Sequence, residues 1–141
     1  MGKLNAGKNG ETVAEIILDR WSNWTDAFPA ATKNAEDTQA GLQEFIGPYH
    51  KPGRCPKSVY TDGSHEFEAA LDKLKWCHDT ATPHRPQTNG VVERSVRRVK
   101  EGTTCNILQS GLSEVWWPYA MKHYCFMDNV TTPAKNGVTP W

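Results

Sequence analysis

Residues 12–19, TVAEIILD, form a nearly unbroken run of β-branched and apolar side chains, short enough for a buried strand. Ser22 and Asn23 then mark a turn, and 24–30 can return as a second strand, with Pro29 suited to its end or to an edge. The chain is therefore expected to open on a hairpin. A helix follows: Asn34 can cap it, Glu36 and Asp37 suit its positive end, and Thr38, Leu42, Phe45 and Ile46 fall on one stripe before Gly47-Pro48 stops it. A short strand over 58–61 ends at Asp62-Gly63. Ser64 can cap a second helix with Phe67, Ala70, Leu71 and Leu74 on one face, and 76–79 reads as a further short strand. After a polar loop over 80–90, a long helix is expected over about 91–109, with Val92, Val96, Val99, Thr103 and Ile107 buried. Gly111 breaks it, and Ser113 can cap a last helix with Leu112 and Trp117 as a hydrophobic staple. Strands first, then strands alternating with helices, predict a mixed α/β domain.

A chain of 141 residues has room for one such domain. The pattern places it over 12–130, between a flexible N-terminal segment over 1–11, rich in Gly, Lys and Asn, and a C-terminal tail over 131–141. With 38% apolar residues and a net charge of zero, from 16 basic and 16 acidic residues, the chain is not of the disordered type. That balance does not advertise a nucleic-acid binder either, so the position of the charges has to decide. No apolar run approaches membrane-spanning length and no signal-peptide layout is visible, which predicts an intracellular, soluble protein without a membrane partner. Cys55, Cys77, Cys105 and Cys125 form no CxxC pair, and the histidines form no close set. Free thiols, mostly buried, are expected in place of a zinc site.

Three features carry chemistry. A strand ending in Asp62 would project a carboxylate into the crevice where α/β sheets bind ligands. Glu93 falls on the first turn of the expected long helix. Arg97 and Lys100 lie four and seven residues beyond it and share its face, at the rim of the expected core. Carboxylates without Cys or His suit a hard cation, Mg²⁺ or Mn²⁺, and cations one and two turns along a helix suit DNA phosphates. Each feature alone has an ordinary reading. Asp-Gly is a common turn signal, Glu93 with Arg97 is also an i,i+4 surface pair, and Arg94, Arg97, Arg98 and Lys100 are also a solvated face.

Taken together, YTDGSHEF (60–67), TPHRPQTNGVVERSVRRVK (82–100) and ILDRWSNW (17–24) resemble the integrase catalytic core of retroviruses and long-terminal-repeat retrotransposons. The resemblance covers about 12–130, and PHRPQTNGVVER is its most specific part. It implies a ribonuclease-H-like mixed sheet flanked by helices, and a carboxylate triad that binds two divalent metals. It also implies processing of element-end DNA and transfer of the 3′-ends into target DNA, with a homodimer or higher oligomer and work in the nucleus. On this reading Asp62 and Glu93 are catalytic and metal-binding, and Gln87, Asn89, Arg94, Arg97 and Lys100 contact DNA.

Two departures stand out. Thirty residues separate Asp62 from Glu93, fewer than the family usually has, which points to a compacted connector. The third carboxylate is not Asp19, because ILDRWSNW matches the family's second strand; Asp19 is expected instead to close an Asx-type turn over Trp21 and Ser22. The first strand is expected to be missing or incomplete, and the chain alone to be inactive. The alternative is a domesticated, catalytically inactive DNA-binding or dimerisation module, its aromatic last helix forming core and dimer surface.

Overall fold

A computed structural model describes residues 5–47, 56–61, 63–80, 86–134 and 137–141, with the side chains of Thr80 and of residues 86–89 outside the description. The element order is β1 (Val13–Leu18), β2 (Thr25–Ala30), α1 (Ala35–Ile46), β3 (Val59–Thr61), α2 (His65–Leu74), β4 (His78–Thr80), α3 (Pro86–Ser110), a 3₁₀ turn over Glu114–Trp116 and α4 (Trp117–Thr131). The chain divides into two compact units, one of residues 1–32 with 92–141, the other of residues 33–91.

In the first unit β1 and β2 form the expected antiparallel hairpin, registered from Val13 opposite Ala30 to Leu18 opposite Thr25. The carboxylate of Asp19 closes its turn. Oδ1 accepts the Trp21 N–H at 3.1 Å, and Oδ2 accepts the Ser22 N–H at 3.3 Å and the Ser22 hydroxyl at 2.6 Å. Burial alone would raise the Asp19 pKa, but these bonds outweigh it and hold the carboxyl below its ordinary value. The Trp21 side chain does not pack on this turn and is 95% exposed.

The core of this unit gathers Ala27, Val99, Trp117, Met121 and Cys125, with Ala14, Ile16 and Tyr124 against it. The period-2 alternation puts Ala14 and Ile16 on one face of β1 and Glu15 on the other, opposite Phe28. Burial pushes the Cys125 thiol up to about 12, with Asp26 and Asp128 adding to the shift, so it is an inert core thiol. Cys77 and Cys105 are exposed, against the expectation of mostly buried cysteines; Cys55 lies outside the described residues.

The N-terminal segment, expected to be loose, is tied to the 3₁₀ turn and α4. Lys8 N–H donates to the Val115 carbonyl at 2.8 Å, the Asn5 carbonyl accepts from Trp117 Nε1 at 3.0 Å, and Lys8 Nζ lies 3.8 Å from the centroid of a Trp116 ring. The 3₁₀ turn also corrects the expected start of the last helix. Ser113 precedes the turn without a side-chain cap bond, α4 begins only at Trp117, and Leu112 is exposed, so no Leu112–Trp117 staple forms.

In the second unit α1 has the cap its sequence predicts: Asn34 Oδ1 accepts the Asp37 N–H at 2.7 Å. Gly47, at φ +84°, ends it, a conformation that favours glycine. Thr38, Gly41 and Leu42 of α1 and Ala70 and Leu71 of α2 are buried, and Lys33 pairs with Glu66. Ser64 stands at the N-cap of α2, but its side chain makes no capping bond; its carbonyl accepts from the Phe67 and Glu68 N–H groups. β3 and β4 pair in parallel, Val59 opposite His78 and Thr61 opposite Thr80. The described strands thus form two pairs, one in each unit.

Candidate functional site

α3 carries most of the predicted site residues, and it begins earlier than its periodicity suggests. Proline at the first helical position has a favourable fixed φ, and the N–H it lacks would have had no intrahelical partner there. Pro86 therefore starts the helix where a loop was expected, and the backbone of Gln87 and Asn89 is helical. The side chains of both residues lie outside the described set. Glu93 consequently falls on the third turn of α3, not the first.

The helix buries Val99 and Thr103 as expected but turns Val92 away from the core. Its buried line runs through Ser95, Val99 and Thr103, whereas Val92 is 36% exposed. The cause is Tyr124 of α4, which lies against Gly102: a Cβ built there would come within 2.0 Å of the ring. Close approach of the two helices thus needs the small side of α3. Thr103 satisfies its hydroxyl by donating to the Val99 carbonyl at 2.7 Å. Gly102→Ala should destabilise the protein by about 1–2 kcal/mol in urea unfolding, because displacing the ring outweighs the gain in helix propensity. An unchanged or raised midpoint would refute this packing.

Opposite the buried line, Glu93, Arg94, Arg97 and Lys100 are all exposed, so Glu93 faces solvent and not the core rim. The i,i+4 pair is not made: among the described residues no ion pair involves Glu93, Arg97 or Lys100. Arg98 is different, since it binds Asp128 of α4 at 2.9 Å and is engaged within the fold.

Asp62 lies outside the described residues, but its neighbours are placed. The Gly63 N–H donates to Thr61 Oγ1 at 3.2 Å, and the same oxygen lies 2.7 Å from His78 Nε2 on β4. On the other face of the strand pair, Ser58 Oγ donates to Asp79 Oδ2 at 2.5 Å. The sequence gives no motif for these pairs, which depend on the parallel register. Among the described residues no group of three His, Cys, Asp or Glu side chains is arranged to hold a metal.

An apolar groove of about 440 Å³ runs beside the C-terminal end of α3, lined by Ile107, Leu112, Trp116, Tyr119, Ala120 and His123 among others. Tyr119 and Phe126 of α4 are half exposed, while Trp117 is buried. The aromatic helix therefore divides between core and surface. Trp141 places its ring 5.9 Å from both Trp24 and Phe126.

No family model matches the chain. It is 27% identical, over 99% of its length, to the Gag-Pol polyproteins of woolly monkey sarcoma virus and feline leukemia virus. It spans only 8% of the length of each. In structure it is similar to a simian T-cell lymphotropic virus intasome chain, solved in complex with the PP2A regulatory subunit B56 gamma. The TM-score is 0.74 at 20% identity, covering 97% of this chain and 49% of that one. The HTLV-2 integrase catalytic core domain, solved in complex with magnesium, gives a TM-score of 0.65 at 20% identity, covering 91% of this chain and 81% of that one. The catalytic core domain of BIV integrase gives 0.64 at 20% identity, with 90% and 81% covered. The chain has the integrase catalytic-core fold: ribonuclease-H-like, mixed α/β, with its strands flanked by helices.

Proposed function

We propose that this chain, with the fold of an integrase catalytic core, serves DNA integration by metal-dependent polynucleotidyl transfer. The observation that carries the reading is the solvent face of α3, where Glu93, in no ion pair among the described residues, stands beside exposed Arg94, Arg97 and Lys100. The donor chemistry fits a hard cation: Glu93 offers exposed carboxylate oxygens, and Asp62 follows directly on β3 in the sequence. Asp62 and Glu93 would hold Mg²⁺ or Mn²⁺. Such ions, bound as a pair, activate an attacking water or hydroxyl and stabilise the leaving oxygen. Arg97 and Lys100 hold DNA phosphates in register beside Glu93, and Arg94, Gln87 and Asn89 extend that contact along the same helix. The half-exposed Tyr119 and Phe126 of α4 give an assembly surface for a homodimer or higher oligomer.

The test is strand transfer with Mg²⁺ or Mn²⁺ by the protein that carries this chain. Glu93→Gln should abolish it while leaving DNA affinity within a few-fold; activity that survives sinks the catalytic assignment. Arg97→Ala with Lys100→Ala should weaken DNA binding on every sequence and reduce the salt slope by about 2, one charge per lost phosphate contact. An unchanged slope rejects the DNA role.

A second reading, an inactive DNA-binding or dimerisation module derived from an integrase, is favoured by one observation. Asp19, the remaining acidic residue of the hairpin motif, is committed to its turn and is not free to complete a triad. On that reading DNA binding keeps its salt dependence and is indifferent to Mn²⁺.

A further inference from the structure

We infer that the tip of the β1–β2 hairpin is a second DNA contact, where the Trp21 indole stacks on an unpaired base and Arg20 meets the adjoining phosphate. The contact deepens the reading of α3 as a DNA-binding helix and rests on it. Trp21 is 95% exposed, whereas Trp24, three residues on, shares a ring contact with Trp141. The backbone under the exposed indole is nevertheless fixed. The Asp19 N–H donates to the Trp24 carbonyl at 2.8 Å, the Asn23 N–H to the Asp19 carbonyl at 2.8 Å, and the Trp24 N–H to Ser22 Oγ at 3.1 Å. With the bonds to the Asp19 carboxylate, these close the turn without help from the indole. A large apolar side chain is thus presented to solvent on a preorganised support, which spares a ligand the cost of ordering it.

Single exposed apolar side chains are ordinary on protein surfaces, so exposure alone assigns no partner. Charge and place do. Arg20 is exposed and enters no ion pair among the described residues, while the neighbouring Asp19 carboxylate is turned back onto the Trp21 and Ser22 amides. A cation beside an aromatic plane is the pairing that holds single-stranded nucleic acid, phosphate on the one and base on the other. Within the first unit, Asn106 bonds to the Ala120 carbonyl, Gly102 lies against Tyr124 and Arg98 binds Asp128. α3 and α4 are therefore antiparallel, and the end of α4 lies toward the Glu93 end of α3. At that end Asn129 binds both backbone groups of Thr25, the first residue of β2. At the opposite end of α4, Asn9, ahead of β1, bonds to Tyr119. The hairpin consequently runs along α4 with its tip toward the end of the unit where α3 carries Glu93, Arg94 and Arg97. One DNA strand can pass the cations of α3 and the Arg20–Trp21 pair in turn. An indole on a convex tip reaches the face of a base only where the base stack is open, so the expected ligand is single-stranded or frayed DNA.

Fluorescence anisotropy on the full chain, with a labelled single strand of DNA and with the blunt duplex built from it, tests this. Trp21→Ala should weaken binding of the single strand about tenfold, the size of one lost base stack, and leave duplex binding within about twofold. It removes no charge, so the salt slope should stay the same. Trp21→Phe keeps a ring and should recover most of the loss. Arg20→Ala should instead reduce the salt slope on the single strand by about 0.7, the share of one phosphate. Single-strand affinity unchanged in Trp21→Ala, or an equal loss on strand and duplex, would overturn the proposal. So would a loss of self-association in sedimentation with DNA binding intact, which would make the indole a protein contact. Arg97→Ala with Lys100→Ala keeps the two readings apart. If that pair leaves the salt slope intact while Trp21→Ala still costs tenfold, the helix reading fails and the hairpin contact stands by itself. If the pair lowers the slope and Trp21→Ala changes nothing, the helix reading stands and the hairpin contact falls.

Discussion

Asn129→Ala should cost about 3 kcal/mol of stability, since it strands a buried donor and a buried acceptor at once. Asn129 is 1% exposed, and so is Thr25, the residue it serves. Its Oδ1 accepts the Thr25 N–H at 3.0 Å and its Nδ2 donates to the Thr25 carbonyl at 2.8 Å. A side-chain amide on α4 thereby does for the outer edge of β2 what another strand would do. Each group left without a partner costs about 1–3 kcal/mol, and the lost volume adds a smaller term. Asn129→Asp retains the acceptor, loses the donor and introduces a charge, so it should be no better tolerated. Urea denaturation is the measurement. A loss under about 1 kcal/mol with an unchanged slope would mean that the Thr25 backbone groups find other partners.

Glu15→Gln should act in the opposite direction, stabilising the protein at pH 8 and flattening its pH dependence. Both carboxyl oxygens of Glu15 are buried without a hydrogen-bond partner among the described residues, and burial pushes the group from 4.5 up to about 8. Between those values the folded chain keeps a proton that the unfolded chain releases. The stability tied to that proton is complete below 4.5 and is lost as pH rises to 8, by about 1.4 kcal/mol per unit. The full loss is on the order of 5 kcal/mol. Glutamine has no proton to lose and is nearly the same size, but its buried amide retains part of the cost. Thermal melts from pH 4.5 to pH 9 would score the prediction; parallel curves for the two proteins would show that Glu15 does not titrate in this window.

Much of the fold was legible because local chemistry agreed with long-range packing. The run over 12–19 became β1, Asn34 became the cap of α1, and the alternation of strands and helices pointed to the right class. The Asx turn at Asp19 was legible for the same reason: its partners are two and three residues away. The start of α3 was not, because Pro86 lies among turn formers and reads as a breaker until its N-terminal position is known. The buried face of α3 was read correctly at Val99 and Thr103 but not at Val92, because periodicity rewards valines. The facing ring of Tyr124 instead selects Gly102, and nothing near Gly102 in the sequence announces it. The candidate site divides along the same line. Glu93, Arg97 and Lys100 could be placed on one face from their spacing and Arg94 added from the resemblance, but their exposure depends on the setting of the helix. The link from His78 to Thr61 spans 17 positions and exists only in the parallel register.

The hairpin also carries an acid–base balance within a few residues of chain. Glu15 on β1 favours its proton, while Asp19, just past the end of the strand, resists taking one. Acidification below the ordinary aspartate value of 3.8 removes the turn's support as Asp19 is forced to accept a proton. Alkalinisation from 4.5 to about 8 removes the strand's support, because the unfolded chain releases the proton that folded Glu15 retains. The two losses meet from opposite sides. The hairpin is therefore best held between the two ordinary values of 3.8 and 4.5, and at neutrality most of the stability tied to the proton that Glu15 retains is already gone.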